Sequence, residues 1–98
     1  MATTATFDPI AISDTGWVLV ADGATYQHVF VQMGEAVFPV MLYVGATIAD
    51  LTDDTIEAFI LLDRERDKSF SIDLGTGDKL YARSKSGNAK IRGHRKTV

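Results

Sequence analysis

The sequence predicts an all-β domain, a small antiparallel β-sandwich of about seven or eight strands, and three observations carry that expectation. Short apolar runs recur at regular spacing between Gly, Asp and Asn turn signals. Residues 26–33 alternate apolar and polar positions with the period of two that a half-buried strand requires. No segment sustains helical periodicity long enough to supply the crossovers that parallel strands need. With 98 residues there is room for one domain, and 46% apolar residues furnish one core.

The elements follow in order. Residues 6–13 read as a first strand, interrupted by Pro9, which cannot donate to a ladder and places this strand at an edge or at a bend. Residues 17–21 are short and apolar, and Asp22-Gly-Ala-Thr25 supplies the turn into 26–33. There Tyr26, His28, Phe30 and Gln32 share one face, and Gln27, Val29, Val31 and Met33 share the other. Gly34-Glu35 signals a turn before the apolar run 36–44, where Pro39 implies that Val40 to Val44 pair better than the residues preceding them. Gly45 closes that strand. Residues 50–62 are ambiguous, because Asp54 and Glu57 stand at capping-box spacing and Ile56, Phe59 and Ile60 at helical spacing. Loop followed by strand is favoured, since Phe59-Ile-Leu-Leu62 is short and strand-compatible. Asp63 to Lys68 reads as a solvated hairpin loop before Ser69-Phe-Ser-Ile-Asp-Leu74. The last pair, 79–83 and 89–92, is marked by turns at 75–78 and 85–88. Meander-like pairing is expected, with residues 1–7 as an extended N-terminal arm, 8–95 as the sandwich and 96–98 as a short tail.

The chain has no cysteine, so neither a disulfide nor a thiolate metal site holds it together. No run approaches the length of a membrane helix, and the Thr-rich N-terminus lacks the pattern of an export signal; no membrane association is expected. The net charge of −3 conceals a division along the chain. Residues 1–78 hold all 13 acids against Arg64, Arg66 and Lys68, a balance of −10; residues 79–98 hold Lys79, Arg83, Lys85, Lys90, Arg92, Arg95 and Lys96 and no acid, a balance of +7.

Candidates for chemistry are few. His28 and His94 have no ligand-forming neighbour at strand spacing, so His28 reads as a partly buried strand residue and His94 as part of a basic tail. Asp50, Asp53, Asp54 and Glu57 follow no calcium-loop order and read as a solvated acidic loop. Gly75 and Gly77 precede a strand and an aspartate, unlike a phosphate loop, and read as positive-φ residues of a hairpin. No nucleophile-elbow pattern occurs, and neither an enzymatic activity nor a cofactor or metal is expected. The basic stretch holds one aromatic residue, Tyr81, so it lacks a stacking platform, and nucleic acid is not an expected partner. Charge polarity suits oriented contacts between proteins. Arg83, Lys90 and Arg92 fall within strands and should define a basic face, and the arm, with Thr3, Thr4, Thr6 and Phe7, should order on contact with a partner.

The pieces Thr15-Gly-Trp17, Val29-Phe-Val-Gln32, Val40-Met-Leu-Tyr-Val-Gly45 and Ser69-Phe-Ser-Ile-Asp-Leu-Gly-Thr-Gly-Asp-Lys-Leu-Tyr-Ala-Arg-Ser84, in this order, resemble short bacteriophage virion structural proteins of the capsid decoration, or head cement, type. The resemblance covers most of residues 15–92 and consists of packing patterns. It implies a β-sandwich that decorates or cements a capsid from outside through contacts with the major capsid protein and with itself, as a homotrimer. The acidic loop and the 63–68 turn depart from that pattern. The alternative is a glycan- or receptor-binding module of a phage tail or fibre, in which Trp17, Tyr26 or Tyr43 would stack on sugars.

Overall fold

Alternation in the sequence becomes layering in space. The structure is a computed structural model that describes residues 2–33, 39–48, 50–53, 55–63 and 68–98. Its eight strands are β1 (Thr4–Ile12), β2 (Val18–Asp22), β3 (Tyr26–Met33), β4 (Val40–Gly45), β5 (Ile60–Leu62), β6 (Ser69–Asp73), β7 (Lys79–Ser84) and β8 (Ala89–Thr97). They form two antiparallel four-stranded sheets, ordered β1-β8-β3-β6 and β2-β7-β4-β5, which pack as a sandwich.

The pairing is nested. β1 pairs β8, β2 pairs β7, β3 pairs β6 and β4 pairs β5, as though one long antiparallel ribbon had been rolled so that β8 also meets β3 and β7 also meets β4. This is the winding of a jelly roll. Among the described strands only β4 and β5 are neighbours both in sequence and in a sheet, so the expected meander pairing is corrected. The turns at 75–78 and 85–88 and the 63–68 connection, read as hairpins, each carry the chain from one sheet to the other. Of the last, Arg64 to Asp67 lie outside the described residues, as does the Gly34-Glu35 turn.

Val29 and Val31 of β3, Val40 and Leu42 of β4, Leu62 of β5, Leu80 and Ala82 of β7 and Ile91 of β8 fill the space between the sheets. At about 25 cal/mol per Å² of apolar surface removed from water, such side chains are the main source of stability in a chain without cross-links. Pro39 stands just before β4, its carbonyl accepting the Lys85 N–H at 2.9 Å, so pairing begins at Val40 as its missing N–H requires. Pro9 lies in an edge strand and at the register shift between Phe7 and Ile10.

Two termini differ from expectation. Thr4 to Phe7 are the first half of β1, in register with Lys96 to Gly93 of β8, so most of the segment read as an arm is a docked strand. Thr3 is tied as well, its carbonyl accepting the Thr97 N–H at 2.9 Å. At the other end Lys96 and Thr97 belong to β8, and the Val98 N–H donates to the Thr25 carbonyl at 3.1 Å. Alternating polar side chains on β8 disguise a central strand as a tail. Among the described residues, the positive φ belongs to Gly87 at 68° and not to Gly75 or Gly77. The 75–78 turn is closed instead by Asp78, whose N–H donates to the Gly75 carbonyl at 3.0 Å while its carboxylate accepts the Gly75 N–H at 2.9 Å.

Candidate functional site

The two outer faces of the sandwich are finished differently. On the β2-β7-β4-β5 sheet, Ile48, Leu51, Asp53 and Ile56 of the connection that follows β4 fold back over the strands. Trp17, Ile48 and Tyr81 are buried beneath it with Met41, Tyr43 and Ile56 packed around them. The Trp17 backbone N–H donates to the Leu51 carbonyl at 2.6 Å, and its indole N–H donates to the Asp53 carbonyl at 3.0 Å. Arg83 reaches that same carbonyl at 3.1 Å and also donates to the Asp14 carbonyl. Arg83 is therefore a clasp for two loops on this sheet, and it does not share a face with Lys90 and Arg92 as expected.

The acidic loop is built by its own carboxylates. Asp50 Oδ1 accepts the Thr52 N–H at 2.9 Å and its hydroxyl at 2.7 Å; Asp53 Oδ1 accepts the Thr55 N–H at 2.8 Å and its hydroxyl at 2.6 Å. These repeated Asx turns hold both carboxyls below their ordinary value of 3.8, the threonine hydroxyl being the larger cause in each case and the threonine N–H the next. Asp54, the proposed cap, lies outside the described residues. Among the described residues no three His, Asp or Glu side chains gather as a metal site would require.

The opposite face, on the β1-β8-β3-β6 sheet, is basic and aromatic. Period two along β8 puts Lys90, Arg92, His94 and Lys96 outward, a row about 20 Å long. Register sets Gln32 beside Arg92, Phe30 beside His94 and His28 beside Lys96 on one flank, and Thr6 beside His94 and Thr4 beside Lys96 on the other. Phe30 stacks on His94 at 5.1 Å and 17°, and His28 lies against the same imidazole at 6.2 Å and 25°. His28 Nδ1 stands 2.7 Å from the exposed Asp73 carboxylate. Beside the ring stack opens a groove of about 380 Å³ whose lining is mostly apolar, with Pro9, Phe30, Thr6, Gln32, Arg92 and His94 around it. His94 Nδ1 is buried and has no hydrogen-bond partner among the described residues.

Of the residues expected to make contacts, Thr4, Thr6, Lys90 and Arg92 come together on this face. Phe7 turns inward against the core, where its ring lies 4.8 Å from the Arg95 guanidinium. Arg95, counted in the basic stretch, is likewise inward: it lies 4.5 Å from the Tyr26 ring and donates to the Val20 carbonyl at 2.9 Å. His94 is a strand residue of the face, not part of a tail. Phe30, Gln32 and His94 were not named as site residues, although the alternation of β3 already put Phe30 and Gln32 on one face with His28. The aromatics proposed to stack on sugars are engaged elsewhere: Trp17 is 3% exposed, Tyr43 packs edge-on against it at 6.1 Å, and Tyr26 faces Arg95. Searches of protein-family models, curated proteins and solved structures find no match to this chain.

Proposed function

We propose that this protein is a non-enzymatic structural component of a bacteriophage particle, decorating or cementing the capsid shell through contacts with the major capsid protein and with copies of itself in a homotrimer. The observation that carries this reading is the unequal finish of the two faces. One sheet is roofed by its own acidic loop, while the other presents exposed Lys90 and Lys96 at the two ends of the outward row of β8, beside an apolar groove. Such a face orients a small domain on a complementary protein surface. The resemblance to short virion proteins supports the same reading. Jelly rolls serve in viral shells and in lectins alike, so the winding is compatible with the role and does not select it.

Co-sedimentation tests the proposal. Purified protein should pellet with capsid shells assembled without it at physiological salt, and K90E/K96E should weaken that association about tenfold, whereas K85E, in the β7–β8 turn, should not. Failure of the wild-type protein to associate with shells ends the proposal. Deleting residues 1–7 is the wrong test, because it strips β8 of half its partner strand.

A further inference from the structure

We infer that the groove beside Phe30 is a docking slot for an extended acidic peptide segment carrying one apolar side chain, and this rests on the shell-binding reading, whose contact it names. Four features converge on that chemistry. The groove floor is apolar and its volume of about 380 Å³ suits a single large side chain with room for backbone. Lys90 and Lys96 project from the same side of one strand about 20 Å apart, so carboxylates towards both ends of an extended partner each meet a cation. Lys90 and Lys96 are exposed at the two ends of the row. Gln32 and Thr6 line the groove, where a peptide backbone can exchange hydrogen bonds with them.

The same geometry disfavours a run of nucleobases. Base stacking needs open ring faces, and here the Phe30 and His28 rings both pack against His94.

The test uses a synthetic heptapeptide with a central Phe and three Asp or Glu residues on each side, about the length of the row when extended. Titrated into isotopically labelled full-length protein, it should shift the amide resonances of Thr6, Phe30, Gln32, Arg92 and His94. Replacing its Phe by Ser, or using the K90E/K96E protein, should each weaken binding about tenfold, and added salt should weaken it further. Unchanged spectra elsewhere in K90E/K96E verify that the variant is folded. The inference is overturned if about 1 mM peptide leaves those resonances unmoved. It is equally overturned if the shifts map to the loop-covered face, or if a dodecamer of thymidylate displaces the peptide and binds the same face more tightly. Peptide binding without shell binding would retain the slot and end the capsid reading; shell binding without peptide binding would do the reverse.

Discussion

At the scale of single residues, several side chains do work that their type alone does not announce. Gly93 of β8 is paired with Val31 of β3, and a Cβ at Gly93 would overlap the Phe30 carbonyl oxygen. G93A should therefore cost about 3 kcal/mol of unfolding free energy, measured by chemical denaturation, because both neighbours are backbone and cannot swing aside. Asp50 and Asp53 illustrate a pH effect whose sign is fixed by their lowered pKa. Their stabilisation of the loop is fully present above the ordinary value of 3.8 and is lost as pH falls through the depressed folded values. Fluorescence of Trp17, which lies beneath that loop, should consequently change only on acidification below about pH 4, and D53N, which keeps the Oδ1 acceptor, should report the loop intact at neutral pH. The sequence revealed these aspartates as a loop because they match no cation-binding order. It did not reveal that each is folded onto the threonine two positions on, although the Asp-x-Thr spacing is present twice. Arg83 escaped the reading for another reason: its role depends on two carbonyls from distant loops, and main-chain acceptors leave no mark in composition.

At the scale of elements, local signals placed the strands well and their partners poorly. Alternation, prolines and turn residues act within a few positions, so Pro39 located the start of β4 and the 50–62 ambiguity resolved as loop and strand. Pairing depends on which apolar faces meet across the core, and a run such as Leu80 and Ala82 is equally content beside any strand of matching pattern. This is why meander pairing was expected where nested pairing occurs, and why Arg83 was grouped with Lys90 and Arg92 although it lies on the other sheet. The site itself was half legible: β8 supplied Lys90 and Arg92, but Phe30 and Gln32 enter only because β3 lies next to β8. Edge strand β5 is the element most exposed to error in another sense. Phe59, Ile60 and Leu61 are all exposed at the rim of their sheet, a flat apolar edge of the kind that recruits foreign strands. L61K should change stability by less than about 0.5 kcal/mol while reducing light scattering of concentrated or heated samples. W17A should act oppositely, lowering stability by about 3–5 kcal/mol through loss of the packing that holds the 46–59 connection down.

At the scale of the molecule, the charge division along the chain becomes a division between faces only in part. The outward row on β8 carries the positive face, while Arg83 and Arg95 are absorbed into loop and core contacts. The nested winding has a further consequence, in time. The innermost pair, β4 and β5, is close in sequence and can meet first; each successive pair must span a longer stretch of chain, and β1 pairs with β8 only when residues 89–96 are available. Until then β3 lacks one of its two neighbours and β1 lacks its only one. A chain emerging in order from its N-terminus must keep its first strand waiting for its last. Closure should accordingly be all-or-none and slow, and removing residues 89–98 should abolish folding of both sheets together, seen as loss of the Trp17 signal from the sheet that β8 never joins.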